Sequence, residues 1–135
     1  MNDVTAGLLD TSIFIARESG RGLGPLPSRV AVSVVTIGEL QLGVLSAGDD
    51  LVRARRGETL ALARRADPIP ISEAVMTAWA HLVADCRSAG VQKAVKLTDA
   101  LIAATAIAHG LPVVTQDDDY AQIARAHPHL RVVTV

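Results

Sequence analysis

The chain has 135 residues, half of them hydrophobic, and a formal net charge of −1 from 13 basic and 14 acidic side chains. That length suits one domain, spanning residues 1–135, with a sizeable core. The balanced charge excludes a globally basic nucleic-acid binder but leaves room for a local basic patch. Phe14, Trp79 and Tyr120 are the only aromatic residues, so the core is predicted to be aliphatic. The single cysteine, Cys86, excludes an internal disulfide and reads as a buried thiol. No basic-then-apolar leader is visible, and no apolar run nears the ~18 residues needed to cross a bilayer. A soluble cytoplasmic protein with no membrane partner is expected.

In chain order, Ala6 to Leu9 reads as a short buried strand ending at Asp10, and Thr11 to Glu18 as a helix. Gly20 to Pro27 is a loop by composition. Arg29 to Ser33 is a second strand, β-branched at Val30 and Val32. Ile37, Leu40, Val44 and Leu45 recur at helical spacing within a helix from Thr36 to about Ala47. Asp50 to Arg65 is an arginine-rich helix. Pro68 to Ile71 allows a third strand, kept short by its prolines. Glu73 to Ala89 follows as a helix whose stripe includes Val75, Trp79, Leu82 and Cys86, with Met76 and Trp79 expected in the core. Thr98 to His109 is greasy on nearly all sides and therefore predicted to be buried. Val113 and Val114 lead a fourth strand to Thr115, a short helix covers about Asp118 to Ala126, and Arg131 to Val135 is a fifth strand. Strands alternating with helices imply a three-layer α/β/α domain around a mostly parallel, five-stranded sheet.

Ligands of such sheets bind beyond the carboxyl ends of the strands. Asp10 ends the first strand, and Asp117 lies just past the fourth. Glu39 and Asp99 lie in the first turns of two helices. Each has a structural alternative. Asp10 suits a helix cap, Thr36 and Glu39 a capping box, and Thr98 an N-cap with Asp99 at the positive helix end. Residues 117–119 suit a solvated turn. Together, four carboxylates converging beside a greasy helix would repel one another and be costly to desolvate. A hard, oxygen-preferring cation such as Mg²⁺ or Mn²⁺ relieves that cost. Carboxylate-held Mg²⁺ commonly serves phosphate hydrolysis, with no protein nucleophile required.

Four segments, in order, resemble those of PIN domains, and specifically VapC-type toxins of type II toxin–antitoxin pairs. They are Leu8-Leu9-Asp10-Thr11-Ser12, the run from Ser33 through Thr36 and Glu39-Leu40 to Gly43, Leu97-Thr98-Asp99-Ala100-Leu101-Ile102-Ala103, and Val113-Val114-Thr115-Gln116-Asp117-Asp118-Asp119-Tyr120. Tyr120 stands where phenylalanine is usual. The resemblance implies a PIN-like fold and a Mg²⁺- or Mn²⁺-dependent endoribonuclease. It further implies a cognate antitoxin and a homodimer. Carried over by position, Asp10, Glu39 and Asp99 form the acidic core, Asp10 and Asp99 being the direct metal ligands. Asp117 is the fourth acid, with Asp119 its rival. Thr11, Ser12 and Thr115 are candidate hydroxyl donors.

An RNA substrate needs a basic rim. Arg53, Arg55, Arg56, Arg64 and Arg65 crowd one helix, Lys93 and Lys96 precede Asp99, and Arg17 and Arg21 follow the first helix. The glycines at 20, 22 and 24 follow a helix and lack the spacing of a dinucleotide loop. His127-Pro128-His129 is expected to be an exposed turn rather than a soft-metal site. Two other functions stay open: a catalytically weak PIN-fold binding module acting through its antitoxin, and a small-ester phosphohydrolase.

Overall fold

The computed structural model describes residues 5–135. Four strands run parallel: β1 (Ala6–Leu9), β2 (Arg29–Ala31), β3 (Val113–Thr115) and β4 (Val132–Thr134), in the order β2-β1-β3-β4. Six helices flank them: α1 (Thr11–Glu18), α2 (Val34–Leu45), α3 (Asp50–Arg64), α4 (Glu73–Ser88), α5 (Leu97–Ala108) and α6 (Asp119–Ala126).

Alternation along the strands separates two cores. Leu8 and Val113 face one side and pack with Leu82, Cys86, Ile102, Ala103, Ile123 and Leu130 of the α4–α5–α6 side. Their neighbours Leu9 and Val114 face the other side, among Ile13, Phe14, Val32, Leu40 and Leu60 of the α1–α2–α3 side. Successive strand residues point to opposite faces, so one dipeptide in each central strand serves both layers and the three-layer architecture follows. Gly7 lets these strands approach closely, because a Cβ there would come 2.5 Å from Val114 Cγ2. The alanines of α5 allow close packing against α4, and Ile102 to Ala106 are all buried.

The described residues form four strands rather than the expected five: the expected third strand, Pro68 to Ile71, is reduced to one parallel bridge between Ser33 and Ile69. The Ile69 N–H donates to Val32 O at 2.8 Å, and Ile69 O accepts from the Val34 N–H at 3.0 Å. Pro68 and Pro70 have no N–H to extend that ladder. Two helix starts also differ from expectation. Ser33 rather than Thr36 caps α2, its Oγ accepting from the Val35 N–H at 3.0 Å, so Thr36 and Glu39 form no capping box. Helix α5 begins at Leu97 after Lys96, which places Thr98 inside it. A 3-10 turn at Gln92–Ala94 precedes it.

Three side chains lie elsewhere than expected. Met76, assigned to the core, is 39% exposed, and Trp79 is only partly buried against the core. Both sit toward the outer edge of the α4 stripe. His127 is buried rather than in an exposed turn, with Nδ1 2.6 Å from Asp85 Oδ2 on α4. Leu130 is buried in the core as well, whereas His129 is exposed.

Candidate active site

The strand order reverses between β1 and β3, the point where parallel α/β sheets open a crevice. Register pairs Leu9 with Val114, and the Asp10 N–H donates to Val114 O at 2.9 Å. Asp10 and Thr115 therefore leave the sheet side by side. Asp10 caps α1, with Oδ2 accepting from the Ser12 N–H at 3.3 Å. It is only 3% exposed.

Every donor on Asp10 is neutral. The Thr115 hydroxyl donates to Oδ2 at 3.0 Å, and the Tyr120 hydroxyl donates to Oδ1 at 2.7 Å. The phenol oxygen also lies 3.5 Å from Asp99 Oδ1. Thus one atom touches both carboxylates, and Asp10 and Asp99 are no farther apart than those two contacts laid end to end.

Hydroxyls of α1 and β3 place Glu39 and the Asp117 turn. Thr11 Oγ1 donates to Glu39 Oε1 at 2.7 Å and lies 3.0 Å from Thr36 Oγ1. Ser12 Oγ lies 3.2 Å from Thr115 Oγ1 and accepts the Gln116 N–H at 3.0 Å. With the Thr115 hydrogen directed to Asp10, Ser12 is the donor in that contact. Thr115 Oγ1 also accepts the Asp117 N–H at 3.0 Å, fixing the turn that carries Asp117.

The PIN domain family matches residues 7–126. The chain belongs to the PIN-domain family, in its VapC branch. It is 70% identical to Ribonuclease VapC8 of Mycobacterium tuberculosis over 104 residues, 77% of this chain and 93% of that protein. Ribonuclease VapC4 of the same organism is 46% identical over 138 residues, covering 98% of this chain and 99% of that one. The crystal structure of VapBC-5, a member of the VapBC family of toxin–antitoxin systems from Mycobacterium tuberculosis, superposes with a TM-score of 0.84 at 37% identity, covering 97% and 99% of the two chains.

The electrostatics of this PIN domain record the crowding of its acids. Asp99 is pushed up to about 6, first by burial, then by Asp10 and Asp119, with Lys96 opposing and Glu39 adding to the rise. Asp117, though exposed over part of its surface, is raised by partial desolvation, then by Asp10 and Asp119, against Lys96 and Arg21. Burial, then Asp10 and Asp99, hold the Tyr120 phenol far above its usual range, so it remains a donor at physiological pH. All five candidate acids, Asp10, Glu39, Asp99, Asp117 and Asp119, thus act on one region.

Within the described residues, no lysine, arginine or histidine forms an ion pair with Asp10, Glu39, Asp99 or Asp117. Buried carboxylates without a cation are costly, and an all-oxygen donor set suits a hard divalent ion. No three acidic, imidazole or thiol groups among the described residues gather closely enough to make a full ligand set. Asp10 and Asp99, brought together at the Tyr120 hydroxyl, are the residues that could hold such an ion.

The candidate rim cations differ in what they face. Lys96, whose Nζ is 3.9 Å from Asp119 Oδ2, and Arg21 are the cations acting on these carboxylates. On α3, Arg53 binds Asp50 and Ala47 O, and Arg56 binds Gly43 O. Sequence reasoning missed the Tyr120 hydroxyl, whose signal was a phenol in a position usually filled by phenylalanine. It also read Thr36 as a cap, whereas its hydroxyl sits beside Thr11.

Proposed function

We propose that this protein is a divalent-metal-dependent endoribonuclease and the toxin of a toxin–antitoxin pair. The observation that carries the reading is a buried Asp10, with no ion-pair partner among the described residues, joined to Asp99 through one phenol oxygen at the carboxyl edge of the sheet. The ribonuclease names of its relatives support RNA as substrate, and the VapBC-5 structure supports an antitoxin partner. A homodimer belongs to the same proposal.

Asp10 and Asp99 would hold Mg²⁺ or Mn²⁺, with Glu39 and Asp117 completing or tuning the site, directly or through water. Asp119 lines its outer edge. When bound, such an ion would make a water more acidic and would neutralise charge on the phosphate and leaving oxygen. The chain supplies the geometry. Thr11 fixes Glu39 through Oε1 and leaves Oε2 to accept a proton from water. Thr115 and Ser12 lock the Asp10 turn, and Lys96 and Arg21 receive backbone phosphates without reading bases. Hydrolysis leaves 5′-phosphate and 3′-hydroxyl ends.

The test is cleavage of a generic RNA by the purified chain with Mg²⁺, with EDTA, and with Mn²⁺ restored. Cleavage should stop with EDTA and return with the ion. Cleavage indifferent to EDTA would refute the metal, and hydrolysis of small phosphate esters without RNA cleavage would make the protein a phosphohydrolase.

A further inference from the structure

Tyr120 is the sole tyrosine of the chain. Its side chain is fully buried and packs among Leu8, Ile102 and Ile123. A phenylalanine would fill that volume, so packing does not account for the oxygen. A buried hydroxyl without a partner is destabilising. Here its partners are the two acids, Asp10 Oδ1 at 2.7 Å and Asp99 Oδ1 at 3.5 Å.

We propose that Tyr120 is a positioning residue for the acid pair: its hydroxyl pins Asp10 through Oδ1 while Thr115 pins it through Oδ2, presetting the carboxylate for a divalent ion shared with Asp99. This rests on the reading of Asp10 and Asp99 as the metal site. Donors on opposite oxygens restrain rotation about the Cβ–Cγ bond, so the carboxylate does not have to be ordered when the ion arrives. Oδ2 already accepts from the Ser12 N–H and the Thr115 hydroxyl, whereas Oδ1 accepts from Tyr120 and so retains a lone pair for the ion. A neutral phenol also relieves part of the repulsion between the acids without adding a resident cation that would compete for the site.

The experiment compares Mn²⁺ binding to the full chain and to Tyr120→Phe, without RNA, by electron paramagnetic resonance of free Mn²⁺. Groups that hydrogen-bond a metal ligand commonly change affinity by about tenfold or more, so the variant should need at least that much more Mn²⁺ for half-occupancy while remaining folded by circular dichroism. In parallel, 3-fluorotyrosine incorporation labels Tyr120 alone, and its one fluorine resonance should move when Mg²⁺ is added. Wild-type Mn²⁺ affinity in Tyr120→Phe, or tighter binding, overturns the proposal. A fluorine resonance unmoved by saturating Mg²⁺ also overturns it, and that readout does not require the variant to fold. If the wild-type chain binds no Mn²⁺, the metal-site reading itself fails, a result distinct from equal binding by the two proteins.

Discussion

The Thr115 hydroxyl reaches across the central strands to Asp10 Oδ2 at 3.0 Å. The same oxygen accepts the Asp117 N–H, so one side chain joins two of the acids. Thr115→Val keeps the shape and removes both contacts. Leaving buried polar groups unpaired costs about 1–3 kcal/mol, which urea unfolding should detect. If Asp10 holds the proposed ion, loss of this partner should lower RNA cleavage by roughly ten- to a hundredfold. A variant cleaving at the wild-type rate would show that this contact is irrelevant to the chemistry.

Asp99 should trade stability for activity. Its carboxyl is raised to about 6 from an ordinary 3.8. Over that interval the folded chain binds more protons than the unfolded chain, so stability falls as pH rises and stays reduced above it. Asp99→Asn removes this penalty. In EDTA at pH 7.5 the variant should melt higher than wild type by about 3 °C, the scale of a 1 kcal/mol gain, and the difference should shrink at pH 4. Cleavage by the variant should fall by orders of magnitude. Thermal melts at both pH values, with a cleavage assay, check the two effects together.

Asp10→Asn should behave oppositely in stability. The Tyr120 and Thr115 hydroxyls both aim hydrogens at this side chain. An amide presents one of them with a second donor, and such mismatches cost about 1–3 kcal/mol. The variant should therefore melt lower than wild type in EDTA and lose cleavage, with its far-ultraviolet circular dichroism unchanged below the transition. Equal gains in stability for Asp10→Asn and Asp99→Asn would contradict the difference in their surroundings.

Much of this was legible in the sequence. The β1 strand and α1 helix match their expected bounds because a short apolar run ends in a capping aspartate. Asp10 and Asp99 could be paired from their places at strand and helix ends. The Pro68 to Ile71 segment misled because its apolar residues look like a strand while its prolines lack the hydrogens a strand needs. Periodicity also could not reveal that Met76 lies at the margin of its helical stripe, or that His127 is buried beside Asp85 of α4. The hydroxyl contacts of Thr11, Thr36 and Tyr120 join residues from separate elements, so local pattern carried only a hint of them.

A close-packing prediction follows from β1. Gly7→Ala would place a methyl group against Val114 Cγ2 and 3.2 Å from Pro27 Cγ. Overpacking of this kind typically costs about 1–3 kcal/mol. The melting temperature should drop measurably, and residual cleavage per folded molecule should remain near wild type if the crevice end of the strand is undisturbed. Chemical denaturation followed by activity measured at low temperature separates the two.

The Ile69 bridge also has a consequence for solubility. Residues along β2 and just beyond it address opposite edges: the Arg29 N–H points inward to Thr5 O, whereas Val32 O, past the end of β2, and the Val34 N–H, at the start of α2, point outward to Ile69. A single residue flanked by imino acids thus stoppers the carboxyl end of that margin. A foreign strand approaching there meets prolines instead of a continuous row of donors, which discourages end-on growth of the sheet into a fibril.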